Sequence, residues 1–331
     1  MLFLNIVLFG SLLSISSYSW LSMWMGLEIN LLSIIPLISK KDSIYPAESA
    51  MKYFLTQTMA SIVMMFSIVL SLNIYDITTL DMTSPLIMIL NSSLFIKMGA
   101  APFHFWFPEI LDGLNWLSCL IMLTWQKIAP MVILMFNIKM SLFILMIILT
   151  STIIGSLMSL NQISLRKILA YSSINHIGWM IASMMVSNYI WIIYFLIYSI
   201  ISINIVLIFN NMNIFYMKQL FKSLNKNKLI KYLLMLNFLS LGGLPPFIGF
   251  YPKWLTINFL VEKNFIFLSI ILIIFTMITL FVYLRVTFYA LTINVNETVM
   301  SAKFNLSFYT MMFNLISLSL LFMCPLMFNF I

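Results

Sequence analysis

Apolar residues fill this chain in about eleven runs of roughly twenty residues, each divided from the next by a short polar stretch. The runs cover approximately 3–20, 22–39, 51–73, 85–107, 114–136, 140–160, 165–186, 189–210, 232–260, 264–289 and 306–329. At 1.5 Å of rise per residue, a helix of about 20 residues crosses a hydrocarbon layer about 30 Å thick. The pattern therefore predicts an all-α polytopic membrane protein. Two runs are interrupted. The fourth leads into FIKMGAAPFHFWFPE, Phe95 to Glu109, where Gly99 and Pro102 bracket a place for the helix to break. The ninth contains SLGGLPPFIGFYPKW, Ser240 to Trp254. Backbone freed by a break at membrane depth needs polar neighbours, which is how transporters build ion paths. The spacing of the two interruptions allows inverted repeats, residues 1–138 and 139–290, followed by a C-terminal helix in 291–331; pattern alone leaves this open.

Composition removes whole classes of function. With 63% hydrophobic and 8% charged residues and a mean hydropathy of +1.07, the chain is not a soluble globular domain. The formal charge of +8 forms no continuous basic stripe, so nucleic acid is not the expected partner. Most basic residues instead fall in loops that alternate spans bring to one side, with Lys139 and Lys263 on the other, a strong positive-inside bias. The longest polar stretch, 210–231, reads as an inner-side loop with an amphipathic surface segment. The two cysteines, Cys119 and Cys324, are far apart and supply no disulfide framework or iron–sulfur ligand set. No Gly-rich nucleotide loop follows a strand, so redox chemistry is expected in a partner. The first twenty residues lack a basic leader region and read as a true span. Heavy use of Ile, Met, Phe and Asn, with two arginines, fits an AT-rich organellar genome.

Five ionisable groups lie deep in the runs: Glu28, Lys97, Lys127, His176 and Lys253. A charge at a helix centre costs about 2.5 to 3.5 kcal/mol, so the glutamate and three lysines together would cost on the order of 10 kcal/mol unpaired. Lys97 lies about 18 Å from one end of its run and about 15 Å from the other, beyond the reach of snorkelling. Glu28, in WMGLEINLLSIIP, is the one acid deep in a span and is a candidate switch partner for Lys97. Lys127, in WQKIAP, precedes Pro130, whose ring frees a carbonyl one turn back. His176, in LAYSSINHIGW, stands among Ser172, Ser173 and Asn175; imidazole passes protons near neutral pH. Each group also has a plainer role: a static salt bridge, a lysine capping a kink, a histidine bonded to serine, or a lysine at a helix end for Lys253. His104 and Glu109 flank the first break as supporting groups.

FIKMGAAPFHFWFPE, WQKIAP, LAYSSINHIGW and GGLPPFIGFYPKW, with a single glutamate inside the second span, resemble from end to end the NADH dehydrogenase subunit 2 family of mitochondrial respiratory complex I, in its short animal form. The resemblance implies inverted five-helix repeats with two discontinuous helices, like those of cation/proton antiporters. It implies a proton-translocating subunit of the membrane arm in the mitochondrial inner membrane, driven by NADH-to-ubiquinone electron transfer in other subunits. Flavin, iron–sulfur clusters, NADH and ubiquinone would then bind elsewhere, and other antiporter-like chains and phospholipid would flank this one. By motif, Glu28 and Lys97 match the family's Glu/Lys pair, Lys127 and His176 its central relay, and Lys253 its distal lysine. Two other classes compete: an independent sodium or potassium/proton antiporter, which calls for more midplane carboxylates than Glu28 alone, and a purely structural subunit.

Overall fold

The structure, a computed structural model, describes residues 2–39, 44–75, 83–138, 142–224, 228–292, 312 and 314. Among these there are fourteen helices, and the chain divides into two compact units, Met1–Ile147 and Ile148–Ile331.

In the first unit, α1 (Leu2–Ser16) and α2 (Trp20–Ile38) form a hairpin whose turn is set by Ser19, the N-cap that accepts the Ser22 N–H at 3.3 Å. The two helices approach closely because Gly10 and Gly26 face the joint. A Cβ added at Gly26 would sit 2.6 Å from the Ser14 backbone nitrogen. Helix α3 (Ile44–Tyr75) starts earlier than its apolar run, since Pro46 is tolerated in a first turn. Helix α4 (Thr83–Met98) is followed by the first break and by α5 (Trp106–Gly113), α6 (Trp116–Leu123) and α7 (Trp125–Asn137). Leu31 and Ile34 of α2, Met64 of α3, Leu94 and Phe95 of α4 and Ile133 of α7 make the core.

The second unit opens with the greater part of α8 (Leu142–Ser159), followed by α9 (Leu165–Val186) and α10 (Asn188–Met212). Helix α9 is buried on nearly every side, so its serines and asparagine face protein and not lipid. It lies tightly on α8: a Cβ at Gly178 would be 2.5 Å from Ser151 Oγ and 2.6 Å from a Thr152 methyl. Gly178→Leu is therefore expected to part these helices and cost more than 3 kcal/mol by overpacking, on the order of the largest single-residue effects. Loss of the assembled complex on native gels, with the chain still synthesised, is the measurement. The expected amphipathic segment is present as α11 (Met217–Leu224), with Met217 and Leu220 buried and Lys218 exposed. Its approach is pinned by Leu165 N–H to Phe215 O at 3.0 Å and Met217 N–H to Ile163 O at 3.2 Å. The second break separates α12 (Lys228–Gly242) from α13 (Phe250–Glu262), and α14 (Ile266–Thr292) follows.

Six helical stretches among the described residues are long and apolar enough to cross a membrane: Trp20–Ile38, Ile44–Leu72, Trp116–Asn137, Leu142–Ser159, Asn188–Met212 and Ile266–Phe288. The other expected spans differ for physical reasons. Pro85–Met98 and Leu229–Gly242 are first halves of broken helices, α1 is shorter, and α9 is long enough but polar along its buried faces. Of the eleventh expected span, 306–329, only positions 312 and 314 are among the described residues, and Cys324 lies outside them. Outward stripes such as Met51, Leu55, Met59, Ile62 and Phe66 on α3 suit lipid or a neighbouring subunit.

Candidate functional site

Both breaks are built alike. Helix α4 ends on Gly99 in the left-handed region, φ +76°, with the Gly99 N–H on Ile96 O and the Ala100 N–H on Phe95 O. Helix α12 is followed by Gly243, φ +75°, with the Gly243 N–H on Ser240 O and the Leu244 N–H on Leu239 O. These are the paired bonds of a glycine C-cap. Counted from the capping glycine, Gly99, Pro102, Phe103 and Pro108 correspond to Gly243, Pro246, Phe247 and Pro252. In that register Glu109 corresponds to Lys253, and Lys97 to Leu241. The two break lysines are thus not counterparts: Lys97 stands in the last turn before its break and Lys253 in the first turn after its own.

In the first unit Lys97 is 8% exposed, and its ammonium makes no hydrogen bond to any described residue. The Glu28 carboxylate acts electrostatically on Lys97 and on Tyr53, without a hydrogen bond to the ammonium. Trp106 Nε1 donates to Ile96 O at 3.1 Å, satisfying one of the carbonyls released at the end of α4. His104 is buried with Nδ1 3.2 Å from Pro102 O, and Glu109 is an exposed partner of Lys52 at 3.2 Å. Lys127 is 1% exposed at the start of α7, just after Thr124 separates α6 from α7, and its ammonium lies 5.4 Å from the Phe107 ring centroid.

In the second unit His176 Nδ1 is 2.9 Å from the Tyr194 hydroxyl, and its ring lies 5.1 Å from that of Tyr198. Ser172 and Ser173 donate back to Leu169 O and Ala170 O. Lys253 is 6% exposed and turns its ammonium to the end of α12, donating to Gly242 O at 3.0 Å and Leu241 O at 3.4 Å. A cation there satisfies orphan carbonyls and complements the helix dipole. The same ammonium lies 5.9 Å from the Trp179 ring centroid.

Residues overlooked at the level of sequence complete the first site. Asn30 and Gln126 exchange amide hydrogen bonds at 3.0 and 3.1 Å, and the Tyr53 hydroxyl donates to Gln126 Oε1 at 3.5 Å. Each amide is a polar residue in an apolar run, beside Glu28 or Lys127, and that proximity was the available signal. Among the described residues no group of three or more His, Cys, Asp or Glu is placed to hold a metal ion. Each unit thus holds ionisable groups in largely apolar surroundings: Lys97 and Lys127 in the first, His176 and Lys253 in the second.

The chain matches the family model described as "NADH:quinone oxidoreductase/Mrp antiporter, TM" over residues 17–279. NADH-ubiquinone oxidoreductase chain 2 of Anopheles gambiae is 47% identical over 322 residues, covering 96% of this chain and 94% of that one. The protein of the same name from Locusta migratoria is 45% identical over 307 residues, covering 92% and 90%. A chain of respiratory complex I from Thermus thermophilus shares the fold, with a TM-score of 0.86 at 22% identity over 98% of this chain and 78% of its own. A chain of the Mrp complex from Dietzia sp. DQ12-45-1b gives 0.75 at 17% identity over 86% and 59%. With its two glycine-capped breaks and its buried lysines, the chain belongs to the NADH:quinone oxidoreductase/Mrp antiporter transmembrane family.

Proposed function

We propose that this chain is an antiporter-like, proton-translocating membrane subunit of respiratory complex I, and that Glu28, Lys97, Lys127, His176 and Lys253 change protonation in turn during pumping. One observation carries the reading: three lysines at 8%, 1% and 6% exposure are held inside an apolar chain where a permanent charge is expensive. A group kept there is useful because its charge can come and go. The energy comes from NADH-to-ubiquinone electron transfer in other subunits, where flavin, iron–sulfur clusters, NADH and quinone bind. Other antiporter-like chains and phospholipid cover the outward apolar faces, and the complex resides in the mitochondrial inner membrane. In line with this, spans one to five and six to ten act as inverted repeats, each holding one break.

Glu28 acts electrostatically on Lys97, so removing its charge tests the relay without deleting an amine. Glu28→Gln is expected to leave assembly intact and to slow coupled turnover roughly 5- to 10-fold, the scale of an ordinary coupling energy. Proton uptake per electron pair in sealed vesicles supplied with NADH is the measurement. A native ratio at native turnover would remove Glu28 from the relay.

A further inference from the structure

Between α2, α3, α4 and α7 of the first unit lies a cavity of about 20 Å³, lined by Asn30, Tyr53, Gln57, Lys97, Gln126 and neighbouring apolar groups. A water molecule needs at least roughly 10 to 15 Å³ and two to four polar partners, so the space fits one water. The lining supplies those partners in the right chemical senses. Lys97 Nζ and Gln57 Nε2 are buried donors with no hydrogen-bond acceptor among the described residues, on side chains only 8% and 4% exposed. Water has two lone pairs to receive them. It also has protons to give, and the Tyr53 hydroxyl oxygen, whose own proton goes to Gln126 Oε1, is an acceptor in the same lining. Gln126 cannot swing away, because both ends of its amide are fixed by Asn30 at 3.0 and 3.1 Å. Tyr53 and Gln57 are one helical turn apart on α3 and so present their polar ends to the same spot.

We propose that Tyr53, Gln57 and the Asn30–Gln126 amide pair form a single-water site that solvates Lys97 and holds the water with which its amine exchanges a proton. The inference rests on the relay reading above and names residues that reading lacks. In the exchange, one N–H bond of the ammonium breaks with its electron pair staying on nitrogen, and the proton joins a lone pair of the water. The products are a neutral amine and a hydronium, and the Glu28 carboxylate, which acts on both Lys97 and Tyr53, offsets the displaced charge. Gln57, Tyr53, Asn30 and Gln126 are positioning residues: they aim the water and do not themselves take the proton.

The test uses the whole complex. Gln57→Met keeps length and volume while deleting the amide, and Tyr53→Phe deletes one hydroxyl. Both are expected to assemble normally and to lower coupled turnover roughly tenfold, the worth of one hydrogen bond to a charged group. Gln57→Asn, which keeps an amide, is expected to recover most of that loss, a rescue that a packing role would not give. A high-resolution map of the native complex is expected to show one water within hydrogen-bond distance of Lys97 Nζ and Gln57, absent in Gln57→Met. Native turnover in Gln57→Met, or a dry cavity in the native map, overturns the water site. If Lys97→Met itself pumps normally, the relay reading fails instead. Should the Gln57 and Tyr53 variants fail to assemble, the native map alone decides.

Discussion

Lys97→Met is expected to leave the complex assembled and to reduce pumping-coupled turnover on the order of 10²-fold, the contribution of a positioned acid or base. Methionine matches the lysine stem in length and suits a site bounded by Leu27, Leu31 and Pro130, so packing changes little. What disappears is the proton-carrying amine. Lys97→Arg separates two explanations that methionine cannot. Arginine keeps a positive charge near Glu28 but does not release its proton under these conditions. If Lys97 served only as a fixed counter-charge, arginine would restore much of the function. As a relay member it must fail almost as badly as methionine. Protons translocated per electron pair in sealed vesicles check both variants, and pumping by either at the native ratio would contradict the relay.

How much of this site could be read in the chain depends on what each residue costs to bury. Charged groups in apolar runs are expensive enough to stand out singly, and Lys97, Lys127 and Lys253 are all buried as their positions required. Glycine and proline marked both breaks for a similar reason, since few residues tolerate the backbone of Gly99 and Gly243. Neutral amides give no such alarm. Asn30 and Gln126 are 96 positions apart and meaningful only as a pair, and nothing local announces that they meet. The contact of His176 with Tyr194 is equally silent in the sequence, because the two residues stand 18 positions apart on different helices. Only the capping glycines give the register in which Lys253 stands where the first break has Glu109.

That register points to the second large effect, at the joint of Gly243 and Lys253. A Cβ at Gly243 would lie 2.9 Å from Lys253 Cδ and 3.0 Å from its ammonium nitrogen, so Gly243→Ala must displace the lysine. It must also hold alanine at φ +75°, a left-handed conformation costing about 1 to 2 kcal/mol. Lys253→Ala removes the same ammonium from Leu241 O and Gly242 O by another route, leaving buried carbonyls at a further cost of about 1 to 3 kcal/mol. Each single change is expected to raise amide hydrogen exchange across residues 240–252 and to lower the thermal stability of the complex. In the double variant the collision has no partner and the carbonyl contacts are already gone, so the combined loss should fall short of the sum by about 1 to 2 kcal/mol. Such a shortfall assigns Lys253 the task of holding the break closed while its amine is charged. A change in that charge then loosens the end of α12, and the proton on Lys253 becomes coupled to the geometry of the broken helix. Strict additivity would mean that the amine is held elsewhere and that break and lysine act independently.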